Sequence, residues 1–277
     1  MIESAIKRNR PAMLFVGSNA DIVAPRQTNA RGLDQYGERF SDRALAIQKA
    51  TKVICQTEWQ FYKLRELHGI EGTLLRNPID LQAWRPIRNI ERKGVLWIGR
   101  YDDFHKRVDL AIEVARRCPD VQFKLIVNPG DAQIENRVRS ENLPNVFLVD
   151  YVPSDKIMQE FTSAAAFLST GNPEYEGFPN VMLQAAATET PIISLYDFDN
   201  FLENAKAGFV CNGSIELAID NIRKALSSKD LINWPHVANY LENHHSWTTA
   251  RQALVKLIDD YKPETRSDSK ESLIPNC

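Results

Sequence analysis

The sequence predicts an α/β protein whose later part is a complete doubly wound parallel sheet of Rossmann-like kind, preceded by part of a second one. Three observations predict it. Short apolar runs bounded by turn residues alternate with longer amphipathic stretches from residue 94 to 195. Each run reads as a buried strand, and strand-helix units of this size argue for a parallel sheet covered on both faces. Residues 77–94, "NPIDLQAWRPIRNIERKG", carry two prolines and many charges without periodicity, as a solvated connection between domains does.

In chain order, "AMLFVGS" (12–18) is the first strand and "KVICQT" (52–57) the second, with a polar segment between them. Residues 58–68, "EWQFYKLRELH", have helical spacing through Trp59, Tyr62 and Leu67, and Gly69 is a suitable stop. "GTLLRN" (72–77) is a third strand. After the connection come strand "GVLWIG" (94–99), helix "RVDLAIEVARRC" (107–118), strand "VQFKLIV" (121–127) and a helix from Asp131 to Ser140. Strand "NVFLVD" (145–150) follows, then helix "SDKIMQEFTSA" (154–164) opened by a Ser154 cap, strand "AAFLST" (165–170), helix "NVMLQAAAT" (180–188) and strand "PIISL" (191–195). "SIELAIDNIRKALSS" (214–228) has a Ser cap and 3.6-residue spacing, and "TTARQALVKLIDDYK" (248–262) is another amphipathic helix. Past Pro263 the chain is polar, which predicts disorder. The expected division is a partial N-terminal domain at 1–87, a complete domain at 88–262 whose last helix has room to cross back, and a tail at 263–277.

Composition narrows the class. With 277 residues, 43% hydrophobic and 25% charged, the chain is long enough for two cores and ordinary for a soluble protein. A formal net charge of −2 gives no global reason to bind nucleic acid or an anionic membrane, so any basic site is local. Cys55, Cys118, Cys211 and Cys277 stand far apart with no CxxC pair, which suggests neither a disulfide framework nor a zinc site and fits a reducing cytoplasm. The first residues lack a signal peptide's apolar region, and no run approaches the ~20 apolar residues of a membrane span. The expectation is a cytoplasmic protein, with room for a peripheral contact on the inner face of a membrane and no statement on oligomeric state.

Chemistry in such a sheet sits beyond the carboxyl ends of the strands. In "WIGRYDDFHKR", Gly99 ends a strand, and Arg100 and Lys106 stand six positions apart in a loop leading to a helix. Two cations beside a glycine turn can hold a diphosphate, the Arg as a planar fork and the Lys as a point charge; the other reading is two solvated charges at a helix start. Asp102 and Asp103, without a third ligand, read as a solvated turn and not as a metal site. "IVNPGD" (126–131) is a turn that a ligand can approach closely. In "PEYEGFPNVMLQ", Glu176 precedes Gly177, Phe178 and Pro179, which form the entry to a helix, and backbone N–H groups at that entry are free to meet an anion or a hydroxyl; the plain alternative is a capping Glu. Gln184, eight residues on, is placed to reach the same pocket. Arg31, Gly32 and Tyr36 in segment 24–43 read as loop, His68 lies on a surface helix, and adjacent His244 and His245 have no third ligand and make no metal pair.

Taken together, residues 50–262 resemble the retaining glycosyltransferases of family 4, which have the GT-B fold. The resemblance is carried by "ATKVICQTEWQFYKLRELHGIEGTLLRNPIDLQAWRP", "VLWIGRYDDFHKRVDLAIEVA" and "PEYEGFPNVMLQAAATETPII" in that order. It implies that Arg100 and Lys106 bind the diphosphate of a UDP-, GDP- or ADP-sugar, that Glu176 contacts the donor sugar beside the Gly177–Phe178–Pro179 backbone, and that a hexose passes to a hydroxyl of a glycan or lipid-linked acceptor with retention and without metal or cofactor. The family's second glutamate, which holds the ribose, is replaced here by Gln184, an uncharged acceptor. Glu189 stands where the family usually has Gly. Tyr151 to Pro153 are a candidate for base recognition. A complete first half runs to ~150 residues or more, so the resemblance also implies a shortened N-terminal domain. The alternatives are a nucleotide-sugar-binding pseudoenzyme or fragment, and a GT-B sugar-nucleotide epimerase. A dehydrogenase is disfavoured, since no G-x-G-x-x-G follows a predicted strand.

Overall fold

A computed structural model describes residues 2–26, 28–228 and 230–259; the expected tail at 263–277 lies outside them. The elements are α1 (Ile2–Lys7), β1 (Met13–Phe15), α2 (Phe40–Lys49), β2 (Lys52–Cys55), α3 (Glu58–His68), β3 (Thr73–Leu74), β4 (Val95–Arg100), α4 (Val108–Arg116), β5 (Phe123–Asn128), α5 (Ala132–Ser140), β6 (Val146–Val149), α6 (Ser154–Ser163), β7 (Ala166–Ser169), α7 (Asn180–Ala187), β8 (Ile192–Ser194), α8 (Phe201–Ala205), β9 (Gly208–Val210), α9 (Ile215–Ser227), α10 (Trp234–His245) and α11 (Trp247–Asp259).

All strand pairs are parallel, in two sheets: β1-β2-β3, and β6-β5-β4-β7-β8-β9. Renumbered from β4, the second order is 3-2-1-4-5-6, so the chain changes direction across the sheet between β4 and β7. The continuous apolar run of β4 explains how this sheet is held. Val95 and Trp97 point into a core shared with α4, α5 and α9, while Leu96 joins Ile126, Phe167 and the helices α6, α7, α8 and α10 on the opposite face. Each face buries large side chains, at ~1.5–3 kcal/mol for each Leu, Ile or Phe taken out of water. The smaller sheet has its own core of Val16, Ile22, Ile47, Val53, Cys55 and Leu64.

Several expectations need correction. Segment 24–43 is not wholly loop, because α2 begins at Phe40. Helix α3 has the expected bounds, with a Thr57 cap accepting from the N–H of Gln60 and Gly69 left-handed at φ 65°. Its buried face is nevertheless Gln60 and Leu64, while Trp59, Tyr62 and Leu67 are exposed. Ser154 does not cap α6; Pro153 precedes the helix with no side-chain cap bond. Ser214 does cap α9, accepting from the N–H of Leu217. Elements α1, α2, α8, β9 and α10 were not expected. Cys55, Cys118 and Cys211 are buried and unpaired, and Cys277 lies outside the described residues. Among the described residues no helix is long and apolar enough to cross a membrane.

His245 ends α10 and ties the C-terminal helices to the connection: its Nδ1 donates to the carbonyl of Asn77 (2.8 Å), and its ring packs on Phe178 and Phe201. Burial, helped by the positive charge of Arg76 and opposed by the Asn77 bond, pushes its pKa down to about 4 from 6.5. A histidine with a depressed folded value takes its proton more readily when unfolded. Its contribution is therefore intact above pH 6.5 and lost as pH falls toward 4, at most about 3 kcal/mol. Denaturant titrations across this range should show a steeper loss of stability in the wild type than in His245→Gln, which does not titrate.

Candidate functional site

The site is built where the loop after β4 meets the loop after β7, at the sheet's change of direction. Asp102, read from sequence as a solvated turn, is instead 4% exposed and organises the first loop. Its Oδ1 accepts from the backbone N–H groups of His105 (2.9 Å), Lys106 (2.6 Å) and Arg107 (3.2 Å), and its Oδ2 from Arg100 Nε (2.7 Å). The second loop is locked to the first. Arg107 donates to the carbonyls of Thr170 (2.7 Å) and Gly171 (2.9 Å), the Thr170 hydroxyl donates to the Lys106 carbonyl (2.6 Å), and Asn172 bonds both the His105 and Phe104 carbonyls. These bonds leave the side chains of residues 105 and 106 facing that of 176.

The result is a compact charged cluster. Lys106 Nζ lies 2.7 and 2.6 Å from the two Glu176 oxygens, and His105 Nε2 is 3.1 Å from Oε2 without a hydrogen bond's alignment. His105 Nδ1 is 3.2 Å from Arg100 Nη2, which can only donate, so in the neutral ring Nδ1 accepts and Nε2 carries the hydrogen toward Glu176. Burial alone would raise the pKa of Glu176, but contact with His105 and the charge of Lys106 outweigh it and hold the carboxyl below its ordinary 4.5. The Arg100 guanidinium stacks over Tyr36, 5.9 Å from the ring centre, and Tyr36 also meets Phe104, His105 and Tyr175 edge-on. Tyr36 therefore belongs to the site, although segment 24–43 read as plain loop. Arg31 and Gly32 are exposed.

The earlier part of the chain reaches this loop directly. Ser18 bridges to Glu176 and its hydroxyl donates to the Tyr175 carbonyl, while Asn19 Nδ2 donates to the Pro173 carbonyl (2.7 Å). A Cβ on Gly177 would stand 2.8 Å from the Gly17 carbonyl oxygen and 2.9 Å from Gln60 Nε2, so glycine is required there by a neighbouring backbone. Gln56 Oε1 accepts from the Phe178 N–H (3.3 Å), which is thus not free for a ligand. Phe178 itself is a core residue, and Pro179 is buried at the start of α7.

Structure thus brings together Arg100, Lys106 and Glu176, with Gly177, Phe178 and Pro179 alongside. Gly99 is not in a turn: it lies inside β4, and its missing side chain makes room for the Trp97 indole, 2.3 Å from where a Cβ would be. Gln184 sits in the second turn of α7, half-buried, its amide unpaired among the described residues. Tyr151 is 73% exposed, away from any core. His105 was missed; its position beside Lys106, in a loop already singled out, was the available signal. Among the described residues no three His, Cys, Asp or Glu side chains group as a metal site needs.

Residues 92–228 match the family model described as Glycosyl transferases group 1. That segment belongs to the group 1 family. No curated protein matches the chain significantly in sequence. Among solved structures, S. aureus TarM, a variant in complex with fondaparinux, alpha-GlcNAc-glycerol and UDP, is similar at TM-score 0.68 and 20% identity over 91% of this chain and 51% of that one. Sucrose-phosphate synthase from Thermosynechococcus elongatus is similar at 0.72 and 16% over 93% and 70%, and Anabaena HepE in complex with UDP and glucose at 0.72 and 15% over 94% and 74%. The chain thus spans about half the length of TarM, and its fold is the GT-B-like one of these structures.

Two substitutions test how this site is held. Gly99→Ala should cost about 1–3 kcal/mol by overpacking against Trp97, read from denaturant midpoints. Lys106→Met leaves Glu176 buried without its cation and should cost about 3 kcal/mol near neutral pH, most of it recovered when Glu176→Gln is added. Because the folded pKa of Glu176 is depressed, the pair's contribution is present above 4.5 and fades as pH falls through the lower folded value.

Proposed function

We propose that the chain is a metal-independent glycosyltransferase that moves a hexose, with retention, from a nucleoside diphosphate sugar to a hydroxyl acceptor on a glycan or lipid-linked glycan. The observation that carries this is the convergence of Arg100, Lys106 and Glu176 at the point where the sheet changes direction, inside the segment that belongs to the group 1 family. UDP is the first donor nucleotide to consider, because it is present in the TarM and HepE complexes.

In this reading the diphosphate takes Lys106 from Glu176 and engages the exposed edge of Arg100. Glu176 is then left to accept from the sugar's hydroxyls, with His105 still beside it. Gln184 takes the ribose. The acceptor oxygen forms its bond to the anomeric carbon on the face from which the diphosphate departs; the diphosphate leaves with the electron pair of the broken C–O bond and takes the acceptor's proton. Two fixed cations meet the charge that develops on the leaving group, which lowers the barrier by preorganisation. The donor is a substrate, and no resident cofactor enters the scheme.

Calorimetry on the whole chain with UDP-, GDP- and ADP-glucose tests the reading. One of them should bind, and Lys106→Ala should weaken that binding by about tenfold or more, the ~1.5–3 kcal/mol of a charge-assisted bond. At a hundred times its dissociation constant the ligand should add about 2.7 kcal/mol of stability. Absence of binding by all three overturns the proposal.

A further inference from the structure

Helix α3 turns its large aromatics away from the core. Trp59 is 40% exposed and Tyr62 63%, on a helix anchored through Gln60 and Leu64. Trp59 also lines two cavities at once. One, of about 350 Å³, is walled by Asn19, Thr57, Gly177 and the turn from Asp197 to Asn200. The other, of about 200 Å³, is walled by Ala20, Val23 to Arg26, Asp34 and Tyr175. A single indole therefore stands between two volumes whose largely apolar walls carry a few polar side chains, and both border the loop that carries Glu176. We propose that this groove seats the acceptor, and that the acceptor is a neutral saccharide whose apolar ring face lies on Trp59. The inference rests on the transferase reading above and names the acceptor side of the same site.

Chemistry at the walls selects this occupant. A pyranose offers an apolar face to an aromatic ring and hydroxyls around its rim, and an amphipathic Trp beside polar groups matches both. The larger cavity carries the carboxylates of Glu58, Asp197 and Asp199. Arg76, a cation beside them, is already engaged by Glu58 (2.7 Å) and Asp199 (3.1 Å). Arg26 in the smaller cavity is paired with Glu174. Asp34 there is paired with Arg43 (2.6 Å), so the smaller cavity is balanced while the larger one is negative, which disfavours phosphate-bearing or acidic acceptors and favours hydroxyl donors. The half-buried Asp197 and Asp199 are oriented in advance: Asp199 Oδ1 accepts from the Glu58 N–H (2.7 Å), and Asp197 accepts from the N–H groups of Leu202 (2.9 Å) and Glu203 (3.0 Å). Each keeps lone pairs for a ligand. Gly177 supplies the placement, since it walls the cavity and adjoins Glu176 in the chain.

The test uses the whole chain labelled with 15N in its five tryptophan side chains, with the Trp59 indole resonance identified by its loss in Trp59→Phe. Maltose, cellobiose and lactose are titrated separately, and glucose 6-phosphate in parallel. At least one neutral disaccharide should shift the Trp59 resonance saturably while glucose 6-phosphate does not, and Trp59→Ala, an exposed position that spares the core, should weaken that disaccharide roughly tenfold. A Trp59 resonance unmoved by all three disaccharides, or moved equally by glucose 6-phosphate, overturns the inference, as does unchanged affinity in Trp59→Ala. The same sample titrated with UDP-, GDP- and ADP-glucose separates the two readings. Binding of one of them with Trp59 silent to every disaccharide sinks the groove alone; a disaccharide response with none of the three bound sinks the transferase and leaves a saccharide site.

Discussion

A carboxylate buried at the meeting of two loops has to be neutralised, and the way Glu176 is neutralised determines most of what surrounds it. At 7% exposure it has lost nearly all its water, yet its pKa lies below the ordinary value because Lys106 and His105 replace that water. Those two residues are adjacent in sequence and face the same carboxylate only because Asp102 gathers three consecutive backbone N–H groups behind them. One buried acid thus shapes the loop that satisfies another. Removing Asp102's partners would free the cations to solvent, where a single pair is worth little.

The earlier segment is held to this arrangement by amides, not by charge alone. Gln60 is fully buried in a helix and satisfied through Asn19 and the Gln56 backbone, and Gln56 in turn reaches the Val16 carbonyl and the Phe178 N–H. Asp21 fixes the Gly17 and Ser18 N–H groups, which sets the strip that lies against Gly177. A buried amide network costs heavily if any member is unpaired, so the two parts of the chain meet in one register. In the proposed reading, a donor entering beside Glu176 would meet a wall already built from both parts.

Much of this could be read in the sequence, for physical reasons that also mark where reading stopped. Strands β4 to β8 and their helices were legible because a sheet buried on both faces leaves continuous apolar runs. The cations at 100 and 106 and the acid at 176 were legible through their order along the chain. The face of α3 was not, because burying a glutamine inverts the hydropathy pattern: Trp59 and Tyr62 look like core until Gln60 is known to bond Asn19, 41 residues away. Asp102 was misjudged for a similar reason, since its partners are backbone groups with no letter in the sequence. Helix α10 had a readable start, Asn233 as cap followed by Pro235 in the first turn, and was obscured by the histidine pair at its end. Strand β9 and helix α8 are only three and five residues long, too short for periodicity to register.

The cluster as it stands satisfies itself, and that has a consequence for how a diphosphate would be recognised. Lys106 already has a carboxylate, so an incoming anion gains only the difference between its own attraction and that of Glu176. Two negative charges on the ligand against one on the protein make the exchange favourable, and the released carboxylate is left uncompensated unless hydroxyl donors arrive with the same ligand. A diphosphate without a sugar satisfies the cation and strands the acid; a sugar without a diphosphate meets an acid already engaged. Under the proposed function, the pairing of Lys106 with Glu176 would make the site respond to both halves of a nucleotide sugar together, through a single bond that has to be exchanged.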